Sequence, residues 1–245
     1  MSLIKNILGR VFALWALLLF STSITLVALL LLVTNGLPVV RRNWVTQRIF
    51  EGWMKVFFVL TGVRRIFKGY ENFGAGQVYV ITCNHRSYMD PPLSSIGIPA
   101  PNRTIAKEGM ARIPVFGIVY RRGSVLVNRN SEESRRQSYL RMKEVLRQGL
   151  HMCIYPEGTR NRTAGPLLPF HDGAFRLAVE SGHAIMPAVL FYTDRVLPTN
   201  KTFYFWPHRV EMHFLPPISV ADKTIAALKA EVSNTMEQHY MQHKK

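Results

Sequence analysis

The chain opens with a long, almost uninterrupted run of apolar positions. No charged residue occurs between Val11 and Val40, and the stretch Val11–Val33 is nearly all apolar. At a rise of ~1.5 Å per residue, a helix of that length reaches roughly 35 Å, enough to cross the hydrocarbon of a bilayer. The pattern therefore predicts a membrane-associated helix. A cleaved signal peptide fits less well, because its apolar core is normally ~7–15 residues and this run ends in a turn sequence, Asn35–Pro38.

The next stretch mixes aromatic with charged residues. Trp44–Leu60 places Trp, Phe, Ile and Val among Arg48, Glu51 and Lys55, a pattern typical of an amphipathic helix in a membrane interface. Basic residues flank the apolar run on both sides, so charge gives no clear orientation for a spanning helix. A helical hairpin dipping into one leaflet, with every flank cytoplasmic, fits the charges at least as well. We predict the hairpin, and the true span stays open.

Beyond Gly69, short apolar runs alternate with segments of helical periodicity. Strands are predicted at five places: Val78–Cys83, Ser124–Val127, Leu150–Tyr155, Ile185–Phe191 and Arg209–Leu215. Helices are predicted at Ser131–Arg147, with Ser131 as the N-cap, and at Gly173–Glu180, ending at Gly182. A final helix is predicted from the stripe of Ile225, Leu228, Val232 and Met236. This alternation indicates an α/β fold with a largely parallel or mixed sheet flanked by helices. The predicted organisation is an N-terminal segment of membrane-anchoring helices, 1–68, followed by one domain, 69–245.

Charge narrows the choice of partner. The net charge is +16, and residues 1–68 hold nine Lys/Arg against one Glu, half of the excess. Such a chain predicts a polyanionic partner: nucleic acid, an anionic membrane surface or a phosphorylated substrate. Because the most basic segment is also the most apolar, a bilayer containing anionic lipid is favoured over nucleic acid. The two cysteines, Cys83 and Cys153, lie in predicted apolar strands and are expected to be small buried side chains in a reducing compartment.

The first candidate for chemistry follows the strand that ends at Cys83. The sequence has no G-x-S-x-G elbow, Walker A loop, H-E-x-x-H pair or G-x-G-x-x-G turn. It does have Asn84–Asp90, with His85 at the carboxyl end of a strand, where α/β sheets usually carry their sites. Asp90 precedes two prolines, which predicts a helix N-cap. The loop can also fold back so that Asp90 holds one nitrogen of His85 and leaves the other as a general base. Taken alone, such a pair is more often structural than catalytic.

Two further strand ends add cations. Tyr155–Arg160 follows a predicted strand, and within it Gly158 permits close backbone approach while Arg160 offers a planar fork for phosphate. The strand Ser124–Val127 leads into Arg129, and residues 103–129, which include Lys107, carry six basic residues and one acidic residue. Together the three strand ends would place a histidine base beside an anion clamp.

These blocks resemble the 1-acylglycerol-3-phosphate O-acyltransferases, a family of glycerolipid acyltransferases. The family's H-x4-D block is matched from His85 to Asp90, its second block at Gly123–Arg129, its E-G-T-R block at Glu157–Arg160 and its proline-containing strand at Ile185–Pro187. The order and spacing agree over roughly residues 70–215, and the four blocks together are highly specific. The resemblance also implies the fold class: a mixed α/β sheet flanked by helices, with an N-terminal membrane-associated two-helix segment.

The sequence departs from the family pattern at two places. Asn128 precedes Arg129 where the family usually has Asp or Glu, and Phe170–Gly173 reads F-H-D-G where F-K-x-G is usual. Both places belong to the side that is expected to bind the polar head of the acceptor. The departures therefore bear on the identity of the acceptor more than on the chemistry.

The resemblance implies a mechanism and a set of roles. His85 would remove the proton from an acceptor hydroxyl, and the alkoxide would attack an acyl thioester of coenzyme A or acyl carrier protein, with Asp90 orienting His85. The acceptor would be lysophosphatidic acid and the product phosphatidic acid, with no metal and no further cofactor implied. Substrate binding is assigned to Arg129 and Arg160 as a phosphate clamp and to Glu157, Gly158 and Thr159 as the polar pocket. Lys107 is a candidate for stabilising the thioester oxyanion, with a solvated surface lysine as the alternative.

Three other functions stay open at this point. The first is the same chemistry on glycerol 3-phosphate, on a lysophospholipid without terminal phosphate, or on an amino-acid lipid. The second is a non-catalytic protein that binds anionic lipid, against which the intact pair of His85 and Asp90 argues. The third is a membrane-bound nucleic-acid-binding protein, although the sequence lacks an aromatic-basic recognition motif. A glycan on the sequon at Asn161 would block the predicted site, which favours a cytoplasmic face for the domain.

Overall fold

The structure, a computed structural model, describes residues 3–244 of the chain. The apolar run forms helix α1, Leu3–Val33, and a 3-10 turn at Thr34–Gly36 reverses the chain into α2, Val39–Leu60. By length and composition, the stretch Leu3–Gly36 could cross a membrane, and only 28% of its most apolar window is buried against the rest of the protein. The predicted apolar helix is therefore present, and it begins well before Val11.

The two helices lie antiparallel and pack on the domain. The indole N–H of Trp15 donates to the carbonyl of Leu60 (2.9 Å), and that of Trp53 donates to the Ser23 hydroxyl (2.8 Å). Residues of both helices, including Phe58, join strand residues in one hydrophobic cluster. The inner faces of α1 and α2 thus form part of the core, while many outward-facing leucines and valines of α1 are exposed.

Within residues 3–244, seven strands form one mixed sheet in the order β1-β7-β6-β2-β5-β3-β4. The strands are β1 Arg64–Lys68, β2 Val80–Cys83, β3 Asn102–Lys107, β4 Ser124–Val127, β5 His151–Ile154, β6 Ile185–Phe191 and β7 Arg209–Phe214. Neighbouring strands run parallel except β6 and β7, which are antiparallel. The remaining helices are α3 Asp90–Gly97, α4 Phe116–Gly123, α5 Glu132–Arg147, α6 Gly173–Ser181, α7 Thr193–Val196 and α8 Ile225–His243. The predicted mixed sheet flanked by helices is confirmed.

Local signals place several boundaries correctly. The Ser131 hydroxyl accepts from the backbone N–H of Ser134 (3.1 Å), so α5 begins with the predicted cap. Helix α6 ends at Gly182, which has a φ of 71° that an L side chain rarely adopts. All seven residues of β6 are buried, as expected for a central strand covered on both faces.

Strand β1 lies inside the segment predicted to serve as the anchor, 1–68. It pairs in parallel with β7, from Arg64 opposite Arg209 to Lys68 opposite His213. Five residues of the sheet therefore lie on the N-terminal side of the predicted boundary. The division into an anchoring segment and a catalytic domain remains a prediction, with the sheet starting at Arg64.

The parallel strands β2, β5, β3 and β4 end at the same edge of the sheet. The loops after them bring together segments that are distant in sequence: Asn84–Met89, Tyr155–Arg160, the end of β3 at Lys107 and the turn after Val127. Asn84 fixes the first loop, because its side chain donates to the Leu190 carbonyl (3.0 Å) and accepts from the Leu190 N–H (2.7 Å). This edge is where the predicted site residues lie.

Candidate active site

The predicted contact between His85 and Asp90 is present. His85 Nδ1 lies 2.8 Å from Asp90 Oδ2, with the histidine side chain 18% exposed and the aspartate fully buried. A carboxylate only accepts hydrogen bonds, so Nδ1 carries the proton, and in the neutral ring Nε2 has a free lone pair. Among the described residues nothing is hydrogen-bonded to Nε2. The geometry therefore leaves Nε2 available to take a proton from a molecule at this edge.

Asp90 is not the N-cap predicted from the sequence. Helix α3 begins at Asp90 itself, and Oδ2 turns back to the loop, where it accepts from the N–H of Arg86 (2.7 Å) and of Ser87 (2.8 Å) as well as from His85. With Asp90 as the cap, Pro92 would be the second helical residue and has no N–H, and the N–H of Leu93, the third, donates to the Met89 carbonyl instead (3.1 Å). The carboxylate is thus free to hold the loop and the imidazole ring.

Glu157 supports the same loop from the neighbouring strand. Its Oε1 accepts from the backbone N–H of His85 (2.7 Å), and its Oε2 accepts from that of Leu168 (2.9 Å). The residue is 2% exposed. Burial raises the pKa of the Glu157 carboxyl, and the hydrogen bonds from His85 and Leu168 oppose that rise. Glu157 therefore anchors the backbone of His85, a more specific position than the general polar pocket predicted for it.

The backbone at Gly158 requires glycine. Its φ is +66°, and a Cβ built there would lie 2.8 Å from the ring of His171. The Arg129 guanidinium donates to the Gly158 carbonyl, which joins the second sequence block to the third. Thr159 follows as an exposed residue. The side chain of His171 approaches Gly158 closely, and the role of Gly158 in substrate binding stays a prediction.

Arg160 and Arg129 lie on different sides of this loop. The Arg160 guanidinium stacks 3.6 Å from the centroid of the Tyr88 ring and donates to the Tyr88 hydroxyl (2.9 Å). A stacked guanidinium keeps the rest of its in-plane donors for a ligand. Arg129 instead faces a cleft of about 490 Å³ that is also lined by Lys107, Arg112 and Glu108. The two arginines therefore flank the loop and do not form a preassembled fork.

Lys107 lies at the exposed end of β3, on the rim of that cleft. With Arg112 and Arg129 it gives the cleft three cations against the single carboxylate of Glu108. Among the described residues no hydrogen bond or ion pair connects the Lys107 side chain to His85. The structure thus places Lys107 in an anion-attracting cleft two strands away from the base, and its role at the thioester stays a prediction.

Asn128 does not orient Arg129. Its Oδ1 accepts from the N–H of Asn130 (3.1 Å), and its own N–H donates to the Ser134 hydroxyl (2.9 Å), so its side chain closes a turn before α5. His171 donates its backbone N–H to the Pro156 carbonyl (2.9 Å). Of the two departures from the family pattern, Asn128 therefore lines the cleft and His171 lies against Gly158.

Two tyrosines of the site were missed by the sequence analysis. The Tyr155 ring packs 4.5 Å from the ring of His85, and its hydroxyl shares a hydrogen bond with Ser94 (2.7 Å). Burial raises the pKa of the Tyr155 hydroxyl well above its usual value. Tyr88 is the platform for Arg160. Both tyrosines stand inside the quoted motif blocks, and that position was the available signal.

Within the described part of the chain, the two cysteines and the possible metal ligands add no further reactive group to the site. Cys83 and Cys153 are buried free thiols with their sulfurs 3.7 Å apart, as the predicted apolar strands imply, and burial raises the pKa of the Cys83 thiol. Across residues 3–244, no group of three or more His, Cys, Asp or Glu side chains is arranged to hold a metal ion.

A buried carboxylate that holds a histidine at the carboxyl edge of an α/β sheet, beside a cationic cleft, is an arrangement that can supply a general base to an anionic substrate. The sequence model of the family described as Acyltransferase matches residues 64–190, just over half of the chain. The chain belongs to this Acyltransferase family.

Relatives with known names share this part of the chain. A 1-acyl-sn-glycerol-3-phosphate acyltransferase of Borreliella burgdorferi is 32% identical over 151 residues, 61% of this chain and 60% of the relative. One of Escherichia coli is 30% identical over 178 residues, 69% of this chain and 68% of the relative. The chain thus matches about two thirds or less of the length of these relatives. The crystal structure of the 1-acyl-sn-glycerophosphate (LPA) acyltransferase PlsC from Thermotoga maritima superimposes with a TM-score of 0.84 at 21% identity, covering 97% of both chains, which shows the fold.

Proposed function

We propose that this protein transfers a fatty acyl group from an acyl thioester to the free hydroxyl of lysophosphatidic acid, giving phosphatidic acid for phospholipid synthesis. The observation that carries the proposal is the hydrogen-bonded pair of His85 and buried Asp90 at the edge that also carries Arg129 and Arg160. The relatives from Borreliella burgdorferi and Escherichia coli support the same reaction, since both are 1-acyl-sn-glycerol-3-phosphate acyltransferases.

The reaction needs one base and no covalent enzyme intermediate. His85 Nε2 accepts the proton of the acceptor hydroxyl as that oxygen attacks the thioester carbonyl carbon. The carbon–sulfur bond breaks, and the thiolate leaves with the proton that His85 then returns. The imidazolium formed in between carries a positive charge, which the Asp90 carboxylate at 2.8 Å stabilises. Glu157 holds the His85 backbone and keeps the ring at this position.

The acceptor phosphate is assigned to the two flanking arginines. Arg160 is fixed against Tyr88 and Arg129 is fixed on the Gly158 carbonyl, so each presents an oriented guanidinium group to an acceptor phosphate bound at this loop. Lys107 and Arg112 on the cleft rim add attraction for an anionic substrate. We propose coenzyme A or acyl carrier protein as the donor's carrier, with Lys107 near the thioester oxygen.

The membrane segment serves the same function. Both substrate and product are lipids, and the exposed apolar surface of α1 and α2 would hold the domain at the bilayer where they reside. We propose that the catalytic domain lies on the cytoplasmic face, since soluble thioester donors are made in that compartment and the basic flanks of the hairpin favour that side.

The base is tested with protein purified in detergent, lysophosphatidic acid and acyl thioesters of both carriers. The variant His85→Ala should lower kcat by roughly 10²–10⁴-fold while the melting temperature stays near wild type. The matched control is His183→Ala, because His183 precedes β6 at the opposite edge of the sheet. Activity of His85→Ala near that of the control would contradict the mechanism.

The acceptor is tested with the variants Arg129→Lys and Arg160→Lys. A hydrogen bond to a charged partner contributes ~1.5–3 kcal/mol, so replacing one arginine should lower kcat/KM by roughly 10–150-fold on lysophosphatidic acid, because lysine lacks the fork. The loss should be much smaller on a lysophospholipid without the terminal phosphate. Equal losses on both acceptors would contradict the phosphate clamp and favour the acceptor that lacks a phosphomonoester.

A further inference from the structure

Three arginines from distant parts of the chain lie together beneath the turn between α1 and α2. Arg42 belongs to the first turns of α2, Arg103 to the amino end of β3, and Arg122 to the last turn of α4. The amino ends of β3 and β4 form the sheet edge opposite to the one that carries His85. At ~3.3 Å per residue, the four steps along β3 from Arg103 to Lys107 place this arginine cluster roughly 13 Å from the catalytic edge. It is therefore separate from the candidate active site.

Among residues 3–244, the hydrogen-bond acceptors of Arg103 and Arg122 are all neutral oxygens. Arg103 donates to Asn43 Oδ1 (2.8 Å) and to the Asn102 carbonyl (3.0 Å). Arg122 donates to the Leu31 carbonyl (3.1 Å) and to Asn35 Oδ1. None of the ion pairs among residues 3–244 includes Arg42, Arg103 or Arg122. The asparagines orient the guanidinium groups without neutralising them.

The charges of the cluster act on one another. Burial, together with the positive charges of Arg122 and Arg42, lowers the pKa of Arg103 to about 10. Burial and Arg42 likewise lower the pKa of Arg122. Charged groups withdrawn from water are normally paired, because desolvation is otherwise uncompensated. The asparagines hold these guanidinium groups in place, but no carboxylate among the described residues pairs with them. An external anion would therefore supply the missing negative charge.

The surroundings of the cluster indicate which anion. Val33, Val40 and Trp44 beside it are 82%, 69% and 46% exposed, and they continue the apolar outer surface of α1. Exposed aliphatic side chains with a tryptophan next to basic residues are typical of the boundary between acyl chains and headgroups. An anion bound here would thus lie at the depth of a lipid phosphate.

We propose that Arg42, Arg103 and Arg122 form a binding site for the phosphate of an anionic phospholipid in the membrane to which the protein is anchored. This site is distinct from the catalytic site. The lipid phosphate would neutralise part of the positive charge of the cluster and would hold the turn between α1 and α2 at the bilayer surface. The site does not depend on which acceptor the enzyme uses.

Vesicle binding tests the site with the full-length protein. The test variant combines Arg42→Gln with Arg122→Gln; Arg103 is kept because it is the most buried of the three. The control combines Arg41→Gln with Arg48→Gln, two exposed residues of α2, so both proteins lose two charges beside the apolar hairpin. Binding is measured by co-sedimentation with vesicles of phosphatidylcholine alone and with vesicles that also contain phosphatidylglycerol.

The two proteins should separate on anionic vesicles only. Each basic residue near an anionic surface contributes about fivefold in affinity through charge alone, so the control should lose about 25-fold at most. The test variant also loses its hydrogen bonds to the bound phosphate and should lose at least about tenfold more than the control. On phosphatidylcholine alone, the test variant should bind like wild type. Equal losses by the test variant and the control on anionic vesicles would mean diffuse surface charge and would overturn the site.

A second measurement distinguishes a lipid headgroup from a soluble anion. The melting temperature in neutral detergent is compared in inorganic phosphate and in chloride at matched ionic strength. If phosphate raises the melting temperature of wild type but not of the test variant, and anionic vesicle binding is also lost, the site is a phosphate site used by lipid. The same stabilisation with unchanged vesicle binding would overturn the lipid assignment in favour of a soluble phosphate ligand.

Discussion

The substitution Asp90→Asn tests the charge of the buried carboxylate while it preserves the shape of the side chain. In the structure, Asp90 Oδ2 accepts from His85 Nδ1 and from two backbone N–H groups, and the oxygen of an asparagine could take that position. The amide nitrogen would then occupy the place of Oδ1, which is buried and has no hydrogen-bond partner. An unpaired buried N–H group costs about 1–3 kcal/mol, which a domain stable by about 5–15 kcal/mol tolerates.

The effect on the rate should be larger than the effect on stability. Opposite charges about 4 Å apart interact by about 4 kcal/mol at an effective dielectric constant of 20, and this attraction is lost when the imidazolium forms beside a neutral amide. Since each 1.36 kcal/mol is tenfold in rate, kcat should fall by roughly 10³-fold. Most of this loss should appear in kcat, because Asp90 is fully buried and contacts the base rather than the substrate.

The assay follows transfer of a labelled acyl group to lysophosphatidic acid, with the melting temperature of each variant as a check on folding. The control is Asp194→Asn, which removes an exposed carboxylate 3.6 Å from the Arg86 guanidinium, a kind of pair that contributes ~0–1 kcal/mol. The control should stay within a few-fold of wild type. A folded Asp90→Asn variant within tenfold of wild type would show that the pair is structural and would refute the reasoning.

Three further predictions concern the backbone, acid stability and the anchor. Gly158→Ala should lower the free energy of unfolding by about 1–3 kcal/mol and reduce activity, because φ is +66° and the new Cβ would meet the His171 ring. Chemical denaturation measures the stability and an acyl-transfer assay measures the turnover. Wild-type values of both would contradict the close contact. Burial lowers the pKa of His151 to about 4 in the folded protein, so below about pH 6.5 protons bind preferentially to the unfolded chain. The free energy of unfolding should therefore fall by up to about 3 kcal/mol as the pH drops from about 6.5 to about 4. His151→Gln should flatten that slope in urea unfolding, and an unchanged slope would assign the effect to other groups. For the anchor, Lys5→Cys and Arg41→Cys should both be labelled from the cytoplasmic side by a membrane-impermeant reagent; labelling from opposite faces would mean a spanning helix.

Much of the secondary structure follows from local features of the sequence. The apolar run of α1, the serine cap of α5 and the glycine stop of α6 each act within a few residues, and all three appear where predicted. The contact of His85 with Asp90 is local in the same sense, since five positions separate the two residues. Such features depend on periodicity, side-chain reach and backbone freedom, which can be read from neighbouring residues alone.

The incorrect N-cap prediction for Asp90 shows that neighbouring residues alone do not determine every side-chain contact. The sequence predicts a cap from the residue type and the following prolines, yet the carboxylate turns to the loop because the prolines offer no N–H and the loop offers three donors. Whether the Asp90 carboxylate bonds to the helix or to the loop depends on how the loop itself is positioned. Asn84 holds it from β6 and Glu157 from the β5 loop, residues that are distant in the sequence.

The sequence by itself determined the longer helices, most of the strands, the apolar segment and the motif blocks of this acyltransferase-family protein. Only the tertiary structure decided that β1 belongs to the sheet, that Arg160 stacks on Tyr88 while Arg129 faces the cleft, and that Arg42, Arg103 and Arg122 meet beneath the hairpin. The physical reason is the range of the forces involved. Periodicity and capping act over a few residues, whereas the neighbours of each strand, and so the side chains that meet at its ends, are chosen by packing the whole core at once.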